Sequence, residues 1–194
     1  MKTQLFLLVP VVLAMSVCNV QGAIDWDVYS NATIYPGEEY EDVSVFDTPP
    51  EHTIVDMLGG VLLTLNSYDF STTNIHGGEI SWGINTYDSS TVNIYDGTIT
   101  CHFLGVRDTS TLNIYGGNLD VVNSPTFYEA STVNIYGYDF FYDDILGVLT
   151  GNLQDGSTFI FRELSPFNYS HLNLVPEPTT ILLLGLGWLL VKRR

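Results

Sequence analysis

Four acidic residues open four near-identical phrases. Asp69 begins DFSTTNIHGG, Asp88 begins DSSTVNIYDG, Asp108 begins DTSTLNIYGG and Glu129 begins EASTVNIYGY, at spacings of 19, 20 and 21 residues. Carboxylates at so regular an interval have two chemistries open to them. They can gather around a hard cation such as calcium, which takes several oxygen ligands. They can also accept hydrogen bonds from backbone N–H groups of a turn, the ordinary use of an aspartate just ahead of a serine. The dense glycine–aspartate motif of dedicated calcium rolls is missing. Local turn capping is therefore the leading expectation, with a weak calcium site at Asp69, Asp88, Asp108 and Glu129 as the alternative. If the four stack, like charges cost roughly 1 kcal/mol per neighbour even in water, so something must offset them. Asp155, opening DGSTFIF, is expected to extend the series.

The same phrases carry two further columns. Asn74, Asn93, Asn113 and Asn134 form one; His76, Tyr95, Tyr115 and Tyr136, two residues on, form the other. Like amides and rings placed one above another bond and stack among themselves. A row of rings flanked by hydrogen-bonding groups can also lie against the sugar rings of a polysaccharide. These eight residues are the candidate carbohydrate-binding set. His52, His76, His102 and His171 have no metal-ligand spacing, and His76 stands where its neighbours have tyrosine. Glycoside hydrolysis needs two carboxylates in different environments, and here they recur identically. No catalytic residue is nominated.

These columns require elements that superimpose. Within each phrase the apolar period is two, the strand period: Thr73, Ile75 and Ile80; Val92, Ile94 and Ile99; Leu112, Ile114 and Leu119; Val133, Ile135 and Phe140. Glycines follow each run and permit a bend through positive φ. The phrase EHTIVDMLGG from Glu51 fits the same template, which makes six units between Glu51 and Glu163. Repeats of this period stack, because no unit can bury its apolar face alone. The expectation is an all-β chain, a single-stranded parallel β-helix of about 20 residues per coil. A stack of antiparallel hairpins is the rival. Residues 24–50, with six acids from Asp25 to Asp42, are expected to cover one end of the 51–163 stack. At the other end Arg162 is expected over Tyr136, and residues 164–174 form a linker.

The termini read differently from the body. Lys2, the apolar run Leu5–Val17 and the small residues Gly22 and Ala23 have the order of a secretory signal peptide spanning 1–23. Its removal leaves Cys101 without a partner, so no internal disulfide is expected. Of 22 acidic residues, 21 lie between Asp25 and Glu163 against Arg107 and Arg162, a balance of −19. Such a field repels nucleic acid and anionic headgroups.

The chain closes on VPEPTTILLLGLGWLLVKRR. The apolar stretch from Thr179 to Val191 is 13 residues, about 20 Å as a helix against a hydrocarbon core near 30 Å. This end resembles the PEP-CTERM sorting signal of Gram-negative bacteria in Val175, Pro176, Glu177 and Pro178, in the short apolar helix, and in the basic stop Lys192, Arg193 and Arg194. The resemblance covers residues 175–194. It implies export, transient holding in the inner membrane through a short transmembrane helix, recognition by an exosortase, and release to a cell surface rich in exopolysaccharide. The STVNIYGG-type unit also resembles repeats of autotransporter passengers and other secreted bacterial β-helices. The sorting resemblance implies nothing about what the mature body does; from the repeated asparagine and ring columns and the lack of a specialised carboxylate pair, the expectation is an exported, non-catalytic surface or extracellular-matrix protein associated with exopolysaccharide. An extracellular polysaccharide lyase or hydrolase is one alternative, and an inert spacer another.

Overall fold

The structure, a computed structural model, describes residues 24–123, 125–128 and 130–176. The expected leader and the apolar C-terminal run lie outside the described residues. Short strands succeed one another: β1 (Ile24–Val28), β2 (Ala32–Ile34), β3 (Glu39–Val45), β4 (Ile54–Met57) and β5 (Val61–Ser67). The repeats proper hold β6 (Thr72–Thr86), β7 (Thr91–Cys101), β8 (Phe103–Val106), β9 (Thr111–Ile114), β10 (Asn118–Val121) and β11 (Thr126–Phe127). After them come β12 (Thr132–Asp143), β13 (Val148–Leu153), β14 (Thr158–Phe161), a single helical turn α1 (Pro166–Tyr169) and β15 (Leu172–Pro176).

The chain coils with a solenoid-like stacking of three faces. Face A contains β2, β4, the first halves of β6 and β7, β9, the start of β12, and β15. Consecutive members pair in parallel, so Thr73, Val92, Leu112 and Val133 are in file, as are Ile75, Ile94, Ile114 and Ile135. After a glycine bend the chain enters face B, where Ile80, Ile99 and Leu119 are in file. Face C follows with Ile84 opposite Leu104 and Thr86 opposite Val106. Every second side chain points inward, and a single apolar core runs the length of the stack. The repeated bend needs glycine for two reasons. Gly78 has φ +95°, and a Cβ there would stand 2.5 Å from Met57 Cε and 2.7 Å from the Gly60 carbonyl oxygen. The hairpin rival fails because the β6–β7, β7–β9 and β9–β12 pairs are all parallel.

Three expectations need correction at the ends. Residues 24–45 do not cover the stack but supply its first turns: β1 pairs in parallel with β3, β3 with β5, and β2 with β4. The apolar step that follows Leu119 on face B is Phe159 rather than Phe140, since β14 pairs with β10. Between these two phenylalanines the chain inserts a hairpin, with β13 antiparallel to both β12 and β14. It closes the end of the core with buried Leu149 and Leu153. The supposed linker is also ordered: β15 adds a parallel rung beside β12, pairing Asn173 with Asn134 and Pro176 with Gly137. Asn168 in α1 is buried and covers the edge of β11, accepting from the Phe127 N–H and donating to the Pro125 carbonyl.

Candidate functional site

Each letter of the repeated phrase has a physical role in this geometry. The acid sits at the second position of a four-residue turn: the N–H groups of Ser71, Ser90 and Ser110 donate to the carbonyls of Tyr68, Tyr87 and Arg107 at 3.1, 3.1 and 3.0 Å. Asp69, Asp88 and Asp108 have φ of +58°, +56° and +55°, a region that aspartate tolerates better than most side chains. The following serine is buried, and its hydroxyl donates back across the same turn at 2.7, 2.8 and 2.6 Å in the three copies.

The acids are in file, but they do not cap their own turns. The carboxylate of Asp88 accepts from the backbone N–H of Asp69 at 3.2 Å, and that of Asp108 from the N–H of Asp88 at 3.0 Å. Each coil thus caps the coil before it, and these bonds offset the like-charge repulsion along the column. Glu129 lies outside the described residues. Asp155 leaves the series altogether. It lies at the bend between faces A and B, where its carboxylate accepts from the Gly117 N–H at 2.9 Å and the Ser157 N–H at 2.8 Å. Burial alone raises its pKa, but the hydrogen bonds from the Ser157 hydroxyl and these N–H groups outweigh it and hold the carboxyl below its ordinary value. Among the described residues no group of three or more His, Cys, Asp or Glu side chains is arranged to hold a metal ion.

The asparagines form a continuous amide ladder. Asn93 donates to Asn74, Asn113 to Asn93 and Asn134 to Asn113, at 2.9, 2.8 and 2.8 Å. Two rungs that sequence reasoning missed extend it: Asn74 donates to Asp56 at 2.9 Å, and Asn173 donates to Asn134 at 3.1 Å. Beside it runs the ring column. His76 stacks on Tyr95, Tyr95 on Tyr115 and Tyr115 on Tyr136, with centroids 4.9, 5.0 and 4.3 Å apart and planes within 14° of parallel. The rings therefore turn their faces to one another and their edges outward. Burial, followed by a hydrogen bond with Tyr136 and the nearness of Tyr136 and Tyr95, pushes the Tyr115 phenol up to about 12.

A second aromatic column escaped the sequence reading. Tyr29, Phe46, Tyr68 and Tyr87 stack at 5.1, 4.8 and 4.8 Å. Arg107 continues it, its guanidinium carbon 5.3 Å from the Tyr87 ring centre and 5.5 Å from that of Tyr128. The signal was in the text, since an aromatic residue precedes Asp47, Asp69, Asp88 and Glu129. Arg162, expected over Tyr136, instead pairs with Asp120 at 2.9 Å.

Where the inserted hairpin meets face B the regular surface is broken by an open cleft of about 530 Å³, lined by Thr100, Asn118, Asp120, Asp139, Asn152 and Thr158 over Phe159. Asp120 Oδ1 is buried there without a hydrogen-bond partner. Unlike the columns, this lining occurs once, and repeat patterning could not reveal it.

The stacked coils define the class of protein, an almost wholly β, solenoid-like chain. Residues 174–194 match the family described as the PEP-CTERM protein-sorting motif, which implies an exosortase-sorted protein exported through the membrane to the cell surface. The match begins inside β15, so Val175 and Pro176 of the sorting motif sit in the last rung of face A, while Glu177, Pro178, Lys192, Arg193 and Arg194 lie outside the described residues. No curated protein and no solved structure matches the chain.

Proposed function

We propose that the chain is a non-catalytic surface or extracellular-matrix protein. On this reading a secretory leader exports it, a short apolar C-terminal helix holds it in the inner membrane until exosortase processing, and the released body associates with exopolysaccharide through face A. The observation that carries the proposal is the filing of Asn74, Asn93, Asn113 and Asn134 beside the ring column.

The geometry modifies how such a surface would meet a polymer. Ring faces are occupied by neighbouring rings, so contact falls to ring edges and phenol hydroxyls, with Tyr95 the most exposed of the three tyrosines at 40%. An asparagine amide has two donors and an acceptor with two lone pairs. The ladder uses one of each along the axis and leaves the others directed off it. A hydroxyl-rich chain lying along face A therefore meets donors and acceptors once per rung, about every 4.8 Å.

The test is retention of the purified protein on the host's own exopolysaccharide, with release of reducing or unsaturated ends followed in the same samples. Retention that Tyr95→Ala with Tyr115→Ala weakens, without new chain ends, supports the proposal. One observation favours an enzyme instead: Asp120 and Asp139 line a single cleft in unrepeated surroundings. New chain ends that vanish in Asp120→Asn would replace the binding reading with a hydrolytic or lytic one.

A further inference from the structure

The C-terminal end of the stack presents large apolar side chains to water. Ile145 is 91% exposed, Leu146 68% and Phe167 61%. Ile145 and Leu146 form the tip of the β12–β13 hairpin, and Phe167 belongs to α1. These elements are fastened to each other rather than loose. The Tyr142 ring stacks on Tyr169 at 4.2 Å, the Tyr142 hydroxyl donates to the Leu164 carbonyl at 3.1 Å, and the Leu164 N–H donates to the Gly147 carbonyl at 2.7 Å. The tip is itself held in a turn, because one carboxylate oxygen of Asp143 accepts from the N–H groups of Ile145 and Leu146 at 3.0 Å each. A fixed turn that points isoleucine and leucine outward has no stabilising purpose within the body, since burial is what apolar side chains contribute.

The chain itself indicates what covers them. β15 ends at Pro176 on this same end of the stack, and only Glu177 and Pro178 separate it from the apolar run that begins at Thr179. Extended chain reaches at most about 3.6 Å per residue, so that gap can span no more than roughly 10 Å. We infer that Ile145, Leu146 and Phe167 are a membrane-contact surface that enters the interface of the bilayer in which residues 179–191 are held, so that the body stands on its C-terminal end. This rests on the anchoring reading proposed above. Its occupant is a zwitterionic lipid surface, because Asp143, Asp144 and a body of charge −19 oppose anionic headgroups.

The full chain in a Cys18→Ser background, reconstituted in phosphatidylcholine vesicles, tests this with an environment-sensitive fluorophore on Ile145→Cys, on Phe167→Cys, or on Tyr35→Cys near the opposite end. Flotation of the vesicles reports anchoring independently. The expected result is co-flotation, with blue-shifted emission at positions 145 and 167 and quenching by shallow spin-labelled lipid several-fold stronger than at position 35. Added phosphatidylglycerol is expected to reduce that quenching. Co-flotation with positions 145 and 167 as open to an aqueous quencher as position 35 overturns the inference alone. Failure to float overturns the anchoring reading and the inference together.

Discussion

Asn113 donates one amide bond along the ladder and accepts another, whereas Asn173 at its end makes only one. Removing a satisfied hydrogen bond costs about 1 kcal/mol. Asn113→Ala is accordingly expected to lower unfolding stability by about 2 kcal/mol in urea titrations, and Asn173→Ala by about half as much. Tyr115 gives a prediction at alkaline pH. Its folded pKa, about 12, lies above the ordinary tyrosine value, so its contribution is complete below about pH 10 and is lost as pH rises towards 12. Ultraviolet titration should show a late-ionising phenol that Tyr115→Phe removes. These columns were legible because identical letters recur at a nearly constant interval. The second aromatic column was equally present in the text, in the residue before each acid, but Arg107 interrupts it chemically while continuing it physically. The cross-coil capping was not legible, because each carboxylate finds its N–H 19 or 20 residues away and not within its own turn.

At the scale of elements, the bends and the inserted hairpin decide whether coils superimpose. Gly78→Ala must adopt a positive φ and also push against Met57 and the Gly60 carbonyl, whereas Gly37 has positive φ but open space around its Cα. Gly78→Ala is expected to cost about 3 kcal/mol and Gly37→Ala about 1, measured as shifts of the urea midpoint. Asp155 ties the hairpin turn to the Gly117 bend. Its lowered pKa means that its stabilisation is present above about pH 4, the unfolded value, and fades as pH falls through the folded one. Asp155→Asn should therefore cost about 1 kcal/mol at pH 7, a charge-assisted bond discounted for solvent exposure, and progressively less as the pH falls through the folded pKa. The glycines marked the bends in advance, but neither the hairpin nor β15 announced itself in sequence. The antiparallel hairpin has the same alternation as a parallel rung, and the five residues of β15 merge into the sorting motif. Alternation says which side chains face inward but not which neighbour a strand will choose.

For the whole molecule, seven rungs along face A, from β2 to β15, make a body whose stability is close to a sum of coils and their interfaces. Pattern repetition made the solenoid legible from Glu51 onward. It could not extend the stack to Ile24, because β1, β2 and β3 carry none of the repeated phrase and join only through backbone register. The function proposed for face A depends on that register holding along the full axis, since a polymer reads rung spacing and not individual residues. Thr33 and Asn173 occupy equivalent positions at the two ends of face A, six rung spacings apart. At roughly 4.8 Å per rung, their backbones are about 29 Å apart. Dipolar electron-spin spectroscopy on Thr33→Cys with Asn173→Cys measures this directly. One narrow distribution near 29 Å is the predicted result. A broad distribution, or a mean well below 20 Å, would contradict the stacked coils and remove the surface on which the proposed polysaccharide contact depends.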